Sequence, residues 1–258
     1  MQLKAVLFDL WGTLILDPDH RARPRALWRA ENVRDVLARH GVSVPLEAVD
    51  AALVAGSAEL SAVHNEGRDV SPAGRVTLFL AHLDGRPGLP AGALAELEAA
   101  ITRMHPVHRP EPRPEAAEAL RRCKALGLAT GLVSNAGYTT APNLRMMLVD
   151  YGLAPYLDAC VFSDELGVAK PHPRIFEEAL RQLSVAAPEA AFVGDSPLND
   201  VMGARGAGLF AVQIGHKEAP PPTGYAEADG TRPNAYVDSL TDLLAVLGGL
   251  VTPPEGVA

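Results

Sequence analysis

Leu3-Lys4-Ala5-Val6-Leu7-Phe8-Asp9-Leu10-Trp11-Gly12-Thr13-Leu14 is the stretch on which the reading of the chain turns. Ala5 to Phe8 is a short apolar run of the kind that is buried in a parallel sheet. It ends on a carboxylate, Asp9. Gly12 then permits a tight turn, and Thr13 offers a hydroxyl. Ligands of open α/β sheets bind beyond the carboxyl ends of the strands, so Asp9 is expected at the mouth of a crevice. Taken alone, the same residues also suit an Asp that caps a turn. The segments that follow decide between the two.

Past Leu14 the pattern changes. Asp17-Pro18-Asp19 is a turn signal, and from Arg23 to Pro110 the periodicity is helical. Leu27, Ala30, Val33 and Leu37 share one helical face, closed by Gly41. Leu46, Val49, Leu53, Leu60 and Val63 share a second. Val76, Phe79 and Leu83 mark a third, and Leu94, Leu97, Ile101 and Met104 a fourth. The exit from this block, Pro106 to Pro114, is proline-rich and is expected to be extended and stiff.

From Glu115 strands and helices alternate. Residues 115–126 predict a helix, Ala129 to Ser134 a strand, and Ala141 to Tyr151 a helix. Ala159 to Phe162 predicts a strand and Pro173 to Leu183 a helix, proline suiting the first turn. Ala190 to Val193 runs as a strand into Gly194-Asp195, and Ser196-Pro197 reads as the N-cap and first residue of the next helix. Leu209 to Ile214 and Ala235 to Val237 complete the strands, and Leu240 to Leu247 is a last helix. Glu218 to Asn234 is expected to be a surface loop and Thr252 to Ala258 a disordered tail. This alternation predicts an α/β fold: a Rossmann-like, mostly parallel sheet covered on both faces. The expected domains are a core of residues 1–15 and 113–258 and a helical insert of residues 16–112.

The totals narrow the function. The chain has 258 residues, 48% of them hydrophobic and 21% charged, and a formal net charge of −8. That charge disfavours nucleic acid, which needs a basic face. No apolar run is long enough to span a membrane, and no leader precedes the first strand. The two cysteines, Cys123 and Cys160, lack metal-ligand spacing and read as thiols in a reducing compartment. A cytoplasmic protein acting on a small molecule is therefore expected; oligomeric state is not legible.

Four groups of polar residues fall at successive strand ends: Asp9; Ser134 and Asn135; Lys170; and Asp195, Asn199 and Asp200. Parallel strands would gather them at one edge. A nucleophilic carboxylate, hydroxyl and amide donors (Thr13, Ser134, Asn135), one ammonium and further acids suit phosphoryl transfer. A divalent cation on Asp9 and Asp195 would suppress repulsion between carboxylate and phosphate, while Ser134 and Lys170 meet the other phosphoryl oxygens. Mg2+ matches such hard oxygen ligands.

Phe8-Asp9-Leu10-Trp11-Gly12-Thr13-Leu14, Val133-Ser134-Asn135, Gly167-Val168-Ala169-Lys170-Pro171 and Val193-Gly194-Asp195-Ser196-Pro197-Leu198-Asn199-Asp200 resemble, in order and separation, the four motifs of the haloacid dehalogenase-like hydrolase superfamily. The helical insert lies where that family carries a cap. The resemblance implies that Asp9 is a nucleophile forming a covalent intermediate. It further implies that Ser134, with Asn135, binds the transferred group and that Lys170 steadies nucleophile and substrate. Asp195, the backbone carbonyl of Trp11 and Asp200 would serve the metal.

One position departs from the family's phosphatases. They carry an Asp two residues after the nucleophile, which protonates the leaving oxygen; here that residue is Trp11, which transfers no proton. Family dehalogenases have an aromatic residue there but lack the acid matching Asp195. Phosphonate-cleaving members use a cap lysine, and the insert holds none of the four lysines. The leading expectation is a Mg2+-dependent phosphomonoesterase on a phosphorylated metabolite that borrows a base, with His20, His64, His82, His105 and His108 as candidate lenders. A 2-haloacid dehalogenase and a catalytically impaired anion-binding protein are the alternatives. His172 reads as a surface residue at a helix start and Trp28 as a packing residue. Arg21, Arg23, Arg25 and Arg29 read as mostly solvated, with anion contact the alternative.

Overall fold

The computed structural model describes residues 2–85, 87–215 and 232–251. Most of the loop expected over Glu218–Asn234, and all of the tail from Thr252, lie outside these residues. The strands are β1 (Ala5–Phe8), β2 (Ile15–Leu16), β3 (Glu111–Pro112), β4 (Ala129–Ser134), β5 (Ala159–Phe162), β6 (Ala190–Gly194), β7 (Phe210–Ile214) and β8 (Ala235–Val237). The helices are α1 (Asp19–Arg39), α2 (Leu46–Asn65), α3 (Pro72–Ala81), α4 (Ala91–Thr102), α5 (Ala116–Ala125), α6 (Ala141–Asp150), α7 (Ser163–Leu166), α8 (Pro173–Leu183), α9 (Gly203–Gly206) and α10 (Leu240–Gly248).

Among the described residues one six-stranded parallel sheet runs in the order β5-β4-β1-β6-β7-β8. β1 is central because all four of its residues are apolar and buried. Side chains alternate across a strand. Val6 and Phe8 pack with Leu132, Val193 and Val212 under α5, α6 and α10. Ala5 and Leu7 pack with Val133, Val161 and Phe192 under α8 and α9. Each fully buried Leu or Phe stabilises this arrangement by about 1.5–3 kcal/mol. In register, Phe8 lies opposite Leu132 on one side and Val193 on the other, which places Asp9 between the ends of β4 and β6. The chain order reverses there, and crevices form at such a switch point.

Helices α1–α4 form a separate layer around Val33, Leu37, Val49, Leu53, Phe79 and Leu97, joined by Tyr138 from the sheet layer. Their entry and exit are tied together: β2 and β3 pair antiparallel, and Arg113 N donates to Leu14 O at 2.9 Å. Three local expectations change. The proline-rich exit is extended only at Glu111–Pro112; before it the chain bends, with His105 Nδ1 accepting from the backbone N–H of Val107 and of His108. Leu94, assigned to an apolar face, is 38% exposed because it borders an open groove between α3 and α4. The segment after Ser196 is π-helical over Pro197–Met202. Ser196 O there accepts from both Asp200 N and Val201 N, while the Asp200 carboxylate turns back to Ser196 N at 2.9 Å.

Candidate active site

Asp9 follows β1, its N–H bound to Val193 O at 2.8 Å. The loop after it closes on Leu10 O, which accepts from Leu14 N and Ile15 N, both at 2.9 Å. Gly12 sits at φ +78°, and a Cβ there would lie 2.4 Å from Asp195 Oδ2. Only glycine lets this turn approach the acid so closely. Gly194 has a parallel role: a Cβ there would lie 2.3 Å from Asp200 Cγ, so its absence lets the carboxylate fold over the end of β6. Arg113 locks the loop from outside, donating to Thr13 O (2.8 Å) and Gly12 O (2.6 Å).

Lys170 joins the pieces. Its Nζ donates to Asp9 Oδ1 at 2.5 Å and to Asp200 Oδ1 at 2.7 Å, and all three residues are buried. Asn135 holds the lysine's backbone at both ends: Lys170 N donates to Asn135 Oδ1 at 2.8 Å, and Asn135 Nδ2 donates to Lys170 O at 3.0 Å. The Asn135 amide is thus engaged with the chain itself. Ser134 is buried at the end of β4, with Oγ 3.3 Å from Asn135 O. Thr13 Oγ1 is buried with no hydrogen-bond partner among the described residues.

Charge in this cluster is unbalanced. Asp9, Asp195 and Asp200 each present a carboxylate oxygen within 4.8 Å of the others, against one ammonium. Burial raises the Asp9 carboxyl well above the usual range; Lys170 opposes the shift, and Asp200 and Asp195 add to it. Asp195, open to solvent at the mouth, is raised to about 6, first by desolvation and then by Asp200. Burial works against the charge on Lys170, but Asp200 and Asp9 prevail and raise its pKa. An all-oxygen donor set with excess negative charge fits a hard divalent cation. Sequence-predicted residues therefore converge: Asp9, Lys170, Asn135, Asp195 and Asp200 form one constellation, with Thr13 and Ser134 buried on the flanking strand and loop.

The helical layer supplies the other wall. A cavity of about 300 Å³ is lined by Trp11, Asn135 and Tyr138 together with Arg25, Arg29 and His64. Arg25 and Arg29 are 8% exposed each, where solvated positions were expected, because α1 packs against this wall. Arg25 pairs with Asp17. Arg29 donates Nε to Ile101 O at 2.8 Å and lies 5.4 Å over the Tyr138 ring, with no carboxylate partner among the described residues. Burial and then Arg25 lower its pKa to about 10. Arg75 on α3 crosses to the sheet layer and donates to Ala136 O and Gly137 O, both at 2.7 Å. No sequence signal singled out Arg75 or Arg113, because each reaches a backbone carbonyl distant in sequence, or Asp69, which meets His64 and Arg75 nearby in the chain but sits in no recognisable motif. Trp28 packs edge-on against His105 at 4.8 Å, and exposed His172 caps α8, its Nδ1 accepting from Arg174 N at 3.2 Å.

Comparison with known proteins adds a family. The family model described as haloacid dehalogenase-like hydrolase matches residues 3–208. A phosphoserine phosphatase from Thermus thermophilus is 41% identical over 143 residues, 54% of this chain and 54% of that protein. The chain thus spans about half the length of such curated relatives. A 2-haloacid dehalogenase structure from Pseudomonas syringae pv. Tomato superposes with a TM-score of 0.64 at 26% identity, over 96% of this chain and 99% of that one. A HAD phosphatase structure from Thermococcus onnurineus, at 23% identity, shares the fold with a TM-score of 0.65 over 97% and 100% of the two chains.

Proposed function

The chain belongs to the haloacid dehalogenase-like hydrolases, and from that premise we propose that it hydrolyses phosphomonoesters of small metabolites through an aspartyl-phosphate on Asp9. The observation that carries this reading is the surplus of carboxylate around Asp9, with Asp195 and Asp200 within 4.8 Å, which suits a metal-assisted phosphatase. The Thermus thermophilus relative supports a phosphorylated substrate.

In this reading Asp9 attacks phosphorus with the oxygen that Lys170 does not hold. The P–O bond to the leaving group breaks as the P–O bond to Asp9 forms. Lys170, Ser134 and Thr13 meet the phosphoryl oxygens, and Asn135 fixes the lysine's backbone. Water then attacks phosphorus and restores Asp9. Asp9, Asp195 and the Trp11 backbone carbonyl would hold Mg2+, with Asp200 beside them; the ion supplies positive charge that offsets repulsion between carboxylate and phosphate. Residues 16–112 act as a cap over a core of residues 1–15 and 113–258, excluding water when closed. The free thiols of Cys123 and Cys160 suit the reducing cytoplasm.

A second reading, 2-haloacid dehalogenation, is favoured by Trp11, since halide departs without a proton, and by the Pseudomonas syringae structure. Phosphate release from p-nitrophenyl phosphate with and without Mg2+ separates the two. Release that needs Mg2+ and is lost in Asp9→Asn is expected. Halide release from a 2-haloacid without metal, with no phosphate release, would establish the second reading. Silence in both assays would leave an anion-binding protein.

A further inference from the structure

Trp11 leaves the phosphatase chemistry without a proton donor, and the cavity it borders contains one. His64, in the last turn of α2, is the buried member of the five insert histidines offered as lenders, at 8% exposure. The others are spoken for or outward-facing. His20 lies on the surface near Glu111, His82 lies 2.8 Å from Glu59, and His105 packs between Trp28 and His108. His64 Nε2 lies 3.1 Å from Asp69 Oδ1, and the Asp69 side chain is wholly buried. Among the described residues neither ring nitrogen of His64 makes an aligned hydrogen bond to protein, Nε2 facing Asp69 at ion-pair distance only, and the residue lines the cavity shared with Trp11 and Asn135.

Asp69 is built to stay ionised. Burial works to raise its pKa, but His64, Arg75 and Ser163 outweigh burial and lower it. Arg75 Nη2 reaches both carboxylate oxygens at 3.2 Å, and Val70 N donates to Oδ1 at 2.6 Å. The loop carrying Asp69 is pinned to the segment before Lys170: Asp69 N donates to Gly167 O at 3.3 Å, and Ala169 N donates to Gly67 O at 3.1 Å. An imidazole with one nitrogen 3.1 Å from a fixed carboxylate, on the wall of a substrate-sized space, has the composition of a general acid–base dyad. The charged groups around the ring are Arg25 and Arg29 on α1, Asp17 before it, and Asp69 with Arg75 behind. The sheet layer contributes Trp11, Asn135, Gly137, Tyr138 and Thr139 to the same cavity, with no carboxylate or ammonium among them.

We propose that His64, positioned by Asp69, protonates the leaving oxygen in place of the acid that Trp11 replaces. This rests on the phosphatase reading above. As the bond from phosphorus to the leaving oxygen breaks, the Nδ1 proton passes to that oxygen and the alcohol departs. Nδ1 then takes a proton from the water that attacks the aspartyl-phosphate, whose P–O bond breaks to return the Asp9 carboxylate and release phosphate. Asp69 is a positioning residue that keeps Nε2–H turned inward.

The test uses the full chain with Mg2+ and two esters, 2-glycerol phosphate and p-nitrophenyl phosphate. The alkoxide of the first needs a proton to leave, and p-nitrophenolate does not. His64→Gln is expected to lower turnover of glycerol phosphate about 100-fold and of p-nitrophenyl phosphate less than about tenfold. Because each ratio is taken on one preparation, it does not depend on the folded fraction. The alkaline limb of the glycerol phosphate pH profile should vanish in His64→Gln, and Asp69→Asn should shift the ratio the same way. Adding Trp11→Asp to His64→Gln should recover at least about tenfold on glycerol phosphate. Equal losses on both esters, or no loss on either, would overturn the proposal while leaving the phosphatase reading intact. Absence of Asp9-dependent release from both esters in the parent chain would overturn both.

Discussion

The two walls of the site are made in different ways. The sheet wall brings Asp9, Ser134, Lys170, Asp195 and Asp200 together from strand ends and the loops after them, each within a short local motif. The helical wall brings Arg25, Arg29, His64, Asp69 and Arg75 together from three helices and one connecting loop, with nothing in their local sequence to mark them. Parallel strands fix which residues reach the edge, so the sheet wall follows from topology. The helical wall follows from packing, and Arg75 ties it to the sheet layer through Ala136 O and Gly137 O. In the proposed reading the sheet wall carries the nucleophile and the acids around it, while the helical wall adds His64 and the arginines that face the rest of the substrate.

The sharpest way to separate the walls is to remove the cation at the centre of the first. Lys170→Met leaves Asp9 and Asp200 buried against each other. It should cost at least about 100-fold in kcat and about 3–5 kcal/mol of stability, read by urea unfolding. Arg75→Met attacks the contact between the walls, freeing the carbonyls of Ala136 and Gly137 and leaving Asp69 less compensated. A loss of about 3 kcal/mol is expected, with kcat on p-nitrophenyl phosphate changed by less than about fivefold. A collapse of kcat would show that the walls are not separable. Arg29→Gln tests selection alone: KM for an anionic ester should rise about tenfold while kcat moves less than about threefold. Arg68→Ala should have the smallest effect. Its side chain is exposed and paired with Glu66, while its bridge to Val168 is made by backbone. A Tm change below about 2 °C is expected.

The same division explains what was legible in the sequence. The six strands of the parallel sheet could be read because short apolar runs bounded by polar residues or glycine carry their own limits, and the acid–lysine cluster followed from strand order; the β2–β3 pair, two residues a side, could not. The π-helical turn at Pro197 could not, since its extra residue is set by the Asp200 carboxylate folding back on Ser196 N. Arg113 binds a loop about 100 positions earlier in the chain, and such a contact leaves no periodic trace. Arg25 and Arg29 looked solvated because helical periodicity shows which face is apolar, not which cations a neighbouring layer will cover. His64 was visible only as one of five, and its distinction is the buried Asp69, five positions on in a separate loop.

The β2–β3 ribbon carries a consequence for how such a chain can be rebuilt. All the helical residues enter and leave through one narrow neck, where Arg113 N meets Leu14 O at 2.9 Å. Antiparallel neighbours at that spacing can be joined by a two-residue turn. On the proposed division into cap and core, the helical layer could be exchanged at this neck, and the bonds that a replacement would have to supply again include those from Asp69 N to Gly167 O and from Ala169 N to Gly67 O.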